Sequence, residues 1–556
     1  MIDNISVNGI TYWLPADNQE VISLVEEAHR NKEVICMRGS AHSFPIIGDL
    51  ENQARDGRKY RFVMLSKMDA VSIEAQTGLA TVQAGCHLGK DPYDPTGISY
   101  EENSFLYQID QAGWALSDLG GIVHQTIGGF MSTGSSGGST RYSFDDPLQS
   151  IDIVQIKDDK VKLVTYNRPK DDNPDDPFFA IAVSMGLMGV IVSITVKCDP
   201  KFYITGSETI SKTVDSQVNV FGIKDSKFPD LATFLCNTEF TRLMWWPQMG
   251  VNKLVVWQAQ KATQDEAQQY AKNAYLHEKK YKCVPDLPDP LPKLKPYHEV
   301  PYIFGSAQPA TLGADIIYSS IGQWPNWLVK ILGNSTFSQA LQLIVGNSFY
   351  PLILPQILDI FVKIDDPKCG PQNFADVGWK GLPMDNQMND KMFPVKFTEL
   401  WIPIEQSTEV MRALHEFYQE GPQNTGAFSC EVYAAKYSKC WMSPAYKTDV
   451  VRIDVFWFGN DLGDPIEFYQ RFWDLLAPFD FRPHWGKYLP KGDYTGSDKD
   501  KRRYKTWVEY LSDRYHKWSA WMELRNKVDP HQIFVNEYWR EHLGIAWKKE
   551  LELFSE

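Results

Sequence analysis

Long apolar runs are missing from this chain of 556 residues. No uninterrupted stretch approaches the ~20 residues that a membrane-spanning helix needs. A basic excess is missing too. Lys and Arg number 56 against 70 Asp and Glu, a formal net charge of -14. That balance argues against nucleic acid or an anionic membrane as the main partner. Cysteine is sparse, with eight residues and no C-x-x-C pair, which speaks against zinc and thioredoxin-like chemistry, so no metal site is expected. There is no strand-GxGxxG-helix unit and no P-loop, so neither a Rossmann dinucleotide site nor a nucleotide-triphosphate cradle is expected. The first residues hold no basic segment followed by an apolar one. A cytoplasmic protein is the default expectation, with a processed secreted form as the alternative.

What the chain does have is ordinary globular composition, 43% hydrophobic and 23% charged. Its length allows two large domains. The aromatics, 18 Trp, 26 Tyr and 29 Phe, suit cores and apolar pockets. Nothing in the pattern sets an oligomeric state.

Periodicity gives the elements. Val21, Leu24, Val25 and Ala28 share one helical face over Asn18–Arg30. Val34–Met37 and Arg61–Leu65 read as strands. Val71–Glu74 and Ala80–Ala84 form a hairpin about Thr77-Gly78, and Asn103–Trp114 is a helix. Ile151–Ile156 pairs with Val161–Thr165. Farther on, strands are expected at Thr238–Pro247, Lys253–Trp257, Phe397–Pro403, Ser429–Tyr433 and Val450–Phe458. Helices are expected at Gln264–Lys279 and Ser407–Gln419. Residues 281–301 are Pro-dense and read as an extended connector. Ile321–Ile364 is apolar but cut by Pro351 and Pro355. It reads as buried helices that would also wall an apolar pocket or touch a membrane surface.

Three Gly-rich stretches carry chemistry. The first strand runs into Arg38-Gly39-Ser40-Ala41-His42-Ser43. Gly39 lets backbone approach a ligand closely. Successive N–H groups, with the Ser40 and Ser43 hydroxyls, make an anion nest suited to a pyrophosphate. By itself such a turn is more often a plain polar loop. The second stretch, 119–139, has seven Gly and six Ser/Thr in 21 residues. It does not read as a normal core element, yet Ile127, Phe130 and Met131 demand burial, which speaks against a linker. Backbone pressed against a flat or phosphorylated ligand would explain it. The third is Gly186-Leu187-Met188-Gly189-Val190-Ile191, leading into a β-branched strand.

In this order, R-G-x-x-H-S, Q-T-I-G-G-x-x-S-T-G-x-x-G and G-L-M-G-V-I resemble the FAD-binding domain of the vanillyl-alcohol oxidase (PCMH-type) flavoprotein superfamily. Phe481-Arg482-Pro483-His484-Trp485-Gly486-Lys487 resembles the H-W-x-K signature of sugar-1,4-lactone oxidases and of covalent-flavin (type II) cholesterol oxidases. Asp529–Trp539 resembles their C-terminal segment. The resemblance implies an α+β fold: a two-subdomain FAD domain over 1–200, a substrate domain over 201–480 with an apolar insert at about 281–395, and a segment over 481–556 that returns to complete the site. It implies FAD contacts from Arg38, Gly39, Ser40, Ala41, His42 and Ser43; from Leu119, Gly120, Gln125, Thr126, Gly128, Gly129, Ser132, Thr133, Gly134 and Ser136; and from Gly189, Val190 and Ile191. His42 matches the histidine that many members bond to the flavin 8α-methyl. The second stretch has no Cys for a second flavin bond, and Ser136 stands where many relatives have His.

The family's chemistry sends a hydride from a CH–OH carbon to flavin N5 and the hydroxyl proton to a base. Lys487 is the expected cation near the flavin. His484 is expected as base or supporting hydrogen-bond partner, Glu431 as proton acceptor or as the holder of another group, and Tyr433 as donor to substrate oxygen. Relatives have Arg where Tyr433 stands in the Glu-x-Arg pattern. This departure and the apolar insert point to a bulky, sterol-like alcohol, with O2 reoxidation giving H2O2. The alternatives are a sugar-1,4-lactone oxidase or dehydrogenase, a tailoring flavoenzyme of secondary metabolism, and a flavin-holding protein whose apolar section serves binding.

Overall fold

A computed structural model describes residues 2–42, 57–281, 362, 364–385, 395–421, 424–425, 429–458, 464–495 and 506–547. Ser43, the Pro-dense connector and most of the apolar insert lie outside the described residues. Among the described residues, no helix is long and apolar enough to cross a membrane.

The N-terminal third holds two sheets. The first has four strands in the order Asp3–Val7, Ile10–Leu14, Tyr60–Met64, Val34–Arg38. The helix Asn18–Asn31 starts at Asp17, whose carboxylate caps the Glu20 N–H, and buries Val21, Leu24, Val25 and Ala28. That is the face its spacing predicts. The second sheet has five strands, ordered Val71–Glu74, Leu79–Gln83, Val190–Lys197, Leu148–Lys157, Lys160–Asn167. The expected helix at 103–114 is shorter, Phe105–Gln111, because Gly113 turns at φ 85° and Trp114–Ala115 pairs with Asp199–Pro200.

An eight-stranded antiparallel sheet forms the other half. Its order is Gln372–Val377, Tyr203–Lys212, Lys253–Ala262, Phe240–Trp246, Cys430–Ala435, Val450–Phe458, Val395–Pro403, Arg482–Pro483. The central strands are buried on both faces, so they read as nearly continuous apolar runs. The charged residues within those runs are therefore informative: Arg242, Glu431, Arg452, Asp454 and Glu399 are all buried. The C-terminal segment comes back to the start, where the Ile35 N–H donates to the Ile533 carbonyl at 2.7 Å.

Candidate active site

The second Gly-rich stretch departs from its expected character. Ile127–Ser132 is a short helix, capped by Thr126, with Ile127, Gly128, Phe130 and Met131 buried. The glycines are what allow it into the core. A Cβ on Gly128 would lie 2.9 Å from the Ala84 Cβ and 3.0 Å from its carbonyl oxygen. The first loop meets this helix just as closely. A Cβ on Gly39 would lie 2.6 Å from Thr126 Oγ1. Beside Gly39, Ala41 takes φ 63°, a left-handed backbone that a residue with a Cβ adopts at some cost.

One cleft joins the three motifs to the C-terminal signatures. It holds about 1420 Å3 of empty space, open solvent included. Arg38, Gly39, Ser40, Ala41 and His42 line it from the first loop. Gln125, Thr126, Gly128, Gly129, Ser132 and Thr133 line it from the second. Gly189 and Ile191 come from the third, and His484, Gly486 and Lys487 from the H-W-G-K turn. Phe534, Asn536 and Trp539 close it from the C-terminal segment. Leu119, Gly120, Gly134, Ser136 and Val190 do not line this cleft. Leu119 and Ser136 stand behind it, where Ser136 donates to Asp118 at 2.8 Å and Gly137 packs on the Leu119 carbonyl.

His42 Nε2 is buried without a hydrogen-bond partner among the described residues. Burial, with His124, Lys487 and His87 nearby, pushes its pKa down to about 3, so the imidazole is neutral. Its ring centre lies 5.4 Å from that of His124. Donor atoms of His42, His124 and Asp91 lie within 4.8 Å of one another, a set that can hold a metal ion. A flavin bond at His42 would exclude that use. Neither His124 nor Asp91 is signalled by any sequence motif.

His484 is fully engaged. Its Nδ1 accepts from the Gly486 N–H at 3.0 Å, which leaves Nε2 to carry the proton. Nε2 donates to Ser135 Oγ at 2.9 Å, and Ser135 meets Thr133 Oγ1 at 3.1 Å. Burial pushes the His484 pKa down to about 4. Both ring nitrogens of His484 are therefore committed to hydrogen bonds within the protein. Ser135, a variable position of the second motif to which its pattern assigns no role, is its anchor. The Lys487 ammonium lies 3.8 Å from the centre of the Phe397 ring, a cation–π contact.

Glu431 and Tyr433 share a face, as their alternation requires. Neither is exposed. The Tyr433 hydroxyl donates to Glu431 Oε2, so the donor expected to face substrate is already committed. Glu431 Oε1 is bonded to Arg242 Nη2 from the neighbouring strand, and Arg242 also binds Asp385 at 2.6 Å. Strand register explains the meeting. Met244 is opposite Glu431 and Leu243 opposite Val432, and Arg242 is the next residue along that strand. An arginine thus reaches Glu431 from the neighbouring strand, although position 433 holds Tyr. One guanidinium between two carboxyls leaves an acid in excess. Burial raises Glu431, and Asp385 adds to it against the pull of Arg242, bringing its pKa up to about 7. Asp454, opposite both Glu431 and Glu399, is raised well above the carboxylate range by burial and by Glu399. Burial also works to raise Glu399, but Arg452, His484 and Lys487 outweigh it and hold Glu399 low.

The cleft fits FAD: the paired glycine-backed loops accommodate backbone-close contact, and the buried unpartnered nitrogens of Arg38 and His42 await polar partners. Comparison with known proteins agrees. The D-arabinono-1,4-lactone oxidase family model matches residues 307–542. A putative D-arabinono-1,4-lactone oxidase of Neurospora crassa is 30% identical over 34% of this chain and 28% of its own length. The D-arabinono-1,4-lactone oxidase of Saccharomyces cerevisiae is 27% identical over 45% of this chain and 41% of its own. The matches thus span less than half of these two relatives. An L-gulonolactone oxidase of Scyliorhinus torazame is 20% identical over 95% of the chain and 93% of its own length. Among solved structures, cholesterol oxidase from Brevibacterium sterolicum superposes with a TM-score of 0.63 at 15% identity, covering 96% of this chain and 94% of that one, which shows the fold. Residues 307–542 thus match a D-arabinono-1,4-lactone oxidase family domain, and the fold is one shared with a solved cholesterol oxidase.

Proposed function

We propose that the chain is an oxidase of a sugar-1,4-lactone or a closely related hydroxylated lactone, with FAD bonded covalently through His42 and O2 as acceptor. The observation that carries this reading is the one cleft in which His42 and Lys487 come within electrostatic reach of each other. The lactone-oxidase relatives support the substrate class. The sterol-like expectation finds no support among these sequence relatives, and Glu431 keeps an arginine partner, Arg242, although position 433 holds Tyr.

FAD held in the cleft by the Gly39 and Gly128–Gly129 loops and His42 would supply the hydride acceptor and the route of electrons to O2. The chain's own residues do the rest. A neutral His42 keeps a nitrogen lone pair available to the cofactor. Lys487 places fixed positive charge in the cleft, where negative charge develops on reduction. Glu431, poised near neutrality, takes the hydroxyl proton. The His484–Ser135–Thr133 chain holds the second loop against the H-W-G-K turn.

Two measurements test this. Acid-precipitated protein should stay yellow, and His42→Ala should release its flavin to the supernatant; a colourless wild-type pellet refutes the bond. Peroxide should form with D-arabinono-1,4-lactone or L-gulono-1,4-lactone. Peroxide with cholesterol and not with lactones would return the sterol reading.

A further inference from the structure

At the His42 end of the cleft, three segments bring imidazoles and a carboxylate together. His42 comes from the first loop and His124 from the second Gly-rich stretch. His87 and Asp91 come from the segment between them. Backbone bonds fix the meeting. The Leu88 N–H donates to the Gln125 carbonyl at 2.9 Å and the Gly89 N–H to the Val123 carbonyl at 2.6 Å, and His87 is bridged to Thr126. Gly89 permits this approach, since a Cβ there would lie 2.3 Å from Val123 Cγ2. The His124 ring lies between those of Tyr93 and His42, at 6.2 and 5.4 Å between ring centres. The Asp91 N–H donates to Ser99 Oγ, and Asp91 Oδ1 accepts from the Tyr93 N–H, both at 2.8 Å. Asp91 Oδ2 faces His87 Nε2 at 3.6 Å, beyond hydrogen-bond length.

The spacing is that of ligands around an ion. One donor atom from each of His42, His124 and Asp91 lies within 4.8 Å of the other two. His42 Nε2 is closed off from water and has no hydrogen-bond partner among the described residues. An ion bonds at about 2.0–2.2 Å and takes less room than a water molecule. Two imidazoles and one carboxylate suit Zn2+, Co2+ or Ni2+, whereas Mg2+ and Ca2+ take oxygen ligands. Three protein ligands are the number of an open zinc site, and His87 stands beside Asp91 as a fourth. Asp94 lines the same cleft and, with Asp69, acts electrostatically on His87; the Lys487 ammonium opposes them at His42.

We propose that the flavin-free chain binds one zinc-like divalent ion through His42, His124 and Asp91, and that this ion and the covalent flavin exclude each other at His42. The exclusion rests on the flavin bond proposed above; the ion site does not. Attachment replaces one C–H bond of the flavin 8α-methyl and the N–H bond of His42 by a bond between that carbon and that nitrogen. The two protons and two electrons released go to O2 as H2O2. The nitrogen must offer its lone pair, and an ion bound to it withholds that pair. Zinc thus holds new chains in the flavin-free state until it is removed.

The test uses full-length protein made under riboflavin limitation, so that flavin-free and flavin-bonded chains are both obtained. Zn2+ should bind the flavin-free chains one to one and the flavin-bonded chains not at all, and Mg2+ or Ca2+ should not displace it. His124→Asn and Asp91→Asn should each weaken Zn2+ binding at least tenfold. FAD added to flavin-free chains should become acid-stable at least tenfold more slowly with one equivalent of Zn2+, and a chelator should restore the rate. Zinc bound equally by both kinds of chain, or binding unchanged in both variants, overturns the site. Should flavin-free chains not stay folded, the growth medium replaces the titration. Added Zn2+ should then lower the acid-stable flavin of wild-type protein at least twofold and leave that of Asp91→Asn unchanged. Flavin content that zinc does not move, or moves equally in both, overturns the proposal. Wild-type protein whose flavin is wholly released by acid overturns the flavin bond and the exclusion with it, and the zinc stoichiometry then decides the ion site by itself.

Discussion

Ser135 Oγ and His484 Nε2 stand 2.9 Å apart, although 349 residues separate them in the chain. This bond joins the second flavin loop to the H-W-G-K turn, and it works only with a neutral imidazole whose Nδ1 accepts from Gly486. The His484 pKa is pushed down to about 4 by burial, against about 6.5 in an unfolded chain. Between those values the unfolded state binds the proton and the folded state does not. Stability therefore falls as pH drops from about 6.5 to about 4, and this contribution is flat above 6.5. Melting temperature followed from pH 7.5 to 4.5 should show that fall, and His484→Gln should make it shallower, with the part due to His42 remaining. An unchanged slope in the variant would assign the acid sensitivity elsewhere. Ser135→Ala, measured at pH 7.5, should cost about 1–2 kcal/mol, because it strands the buried Nε2–H.

The third motif offers a paired test of how closely backbone approaches backbone. Gly189 takes φ 137°, and a Cβ there would lie 2.4 Å from the Val154 carbonyl oxygen. Gly186 takes φ 76°, but a Cβ there meets nothing within 4 Å. Gly186→Ala should therefore cost only the conformational penalty, about 1 kcal/mol. Gly189→Ala must also move a strand and should cost more, with weaker flavin retention. Denaturant melts and flavin content of the two variants settle the order; equal losses would mean that the strand yields freely.

These cases show what the chain reveals before it is folded. The helix Ser407–Gln419 and the strand Val450–Phe458 match their periodicity to the residue, because period is a local property. The flavin loops are legible because glycine at that density is costly to order and suits neither a core element nor, with large apolar residues among it, a linker. Arg242 was not legible as a partner of Glu431. Its strand reads as a plain apolar run, and the pair forms only through a ladder that bridges 189 residues. The one available signal was a charge embedded in a run otherwise buried throughout. The same signal marks Arg452 and Asp454, which alternate within Val450–Phe458 and share one face of the strand. His124 and Asp91 carry no such mark, since a polar residue in a loop has many ordinary uses.

Lys487 lines the cleft with its ammonium over the Phe397 ring. Lys487→Met keeps the bulk and removes the charge. Loss of one preorganised charge at a reacting centre costs about 100–1,000-fold in kcat. Anaerobic flavin reduction by the lactone should slow by that order, with flavin content kept. A fall confined to the oxygen step would place the charge at O2 activation instead.

Glu431 is the sharpest kinetic test, because burial leaves it titrating near neutrality, at about 7. A general base works in its deprotonated form, so the rate of flavin reduction should rise with pH through about 7 and then level. Glu431→Gln is close in shape and keeps an oxygen for Tyr433, but it cannot take a proton. It should lower the limiting reduction rate by about 100–10,000-fold and abolish the rising limb. Arg242 would lose its charged partner in that variant, so melting temperature would fall as well. The two effects separate by their pH dependence. Lowered stability with the rising limb intact would mean that Glu431 only holds Arg242, and that the proton goes to another group.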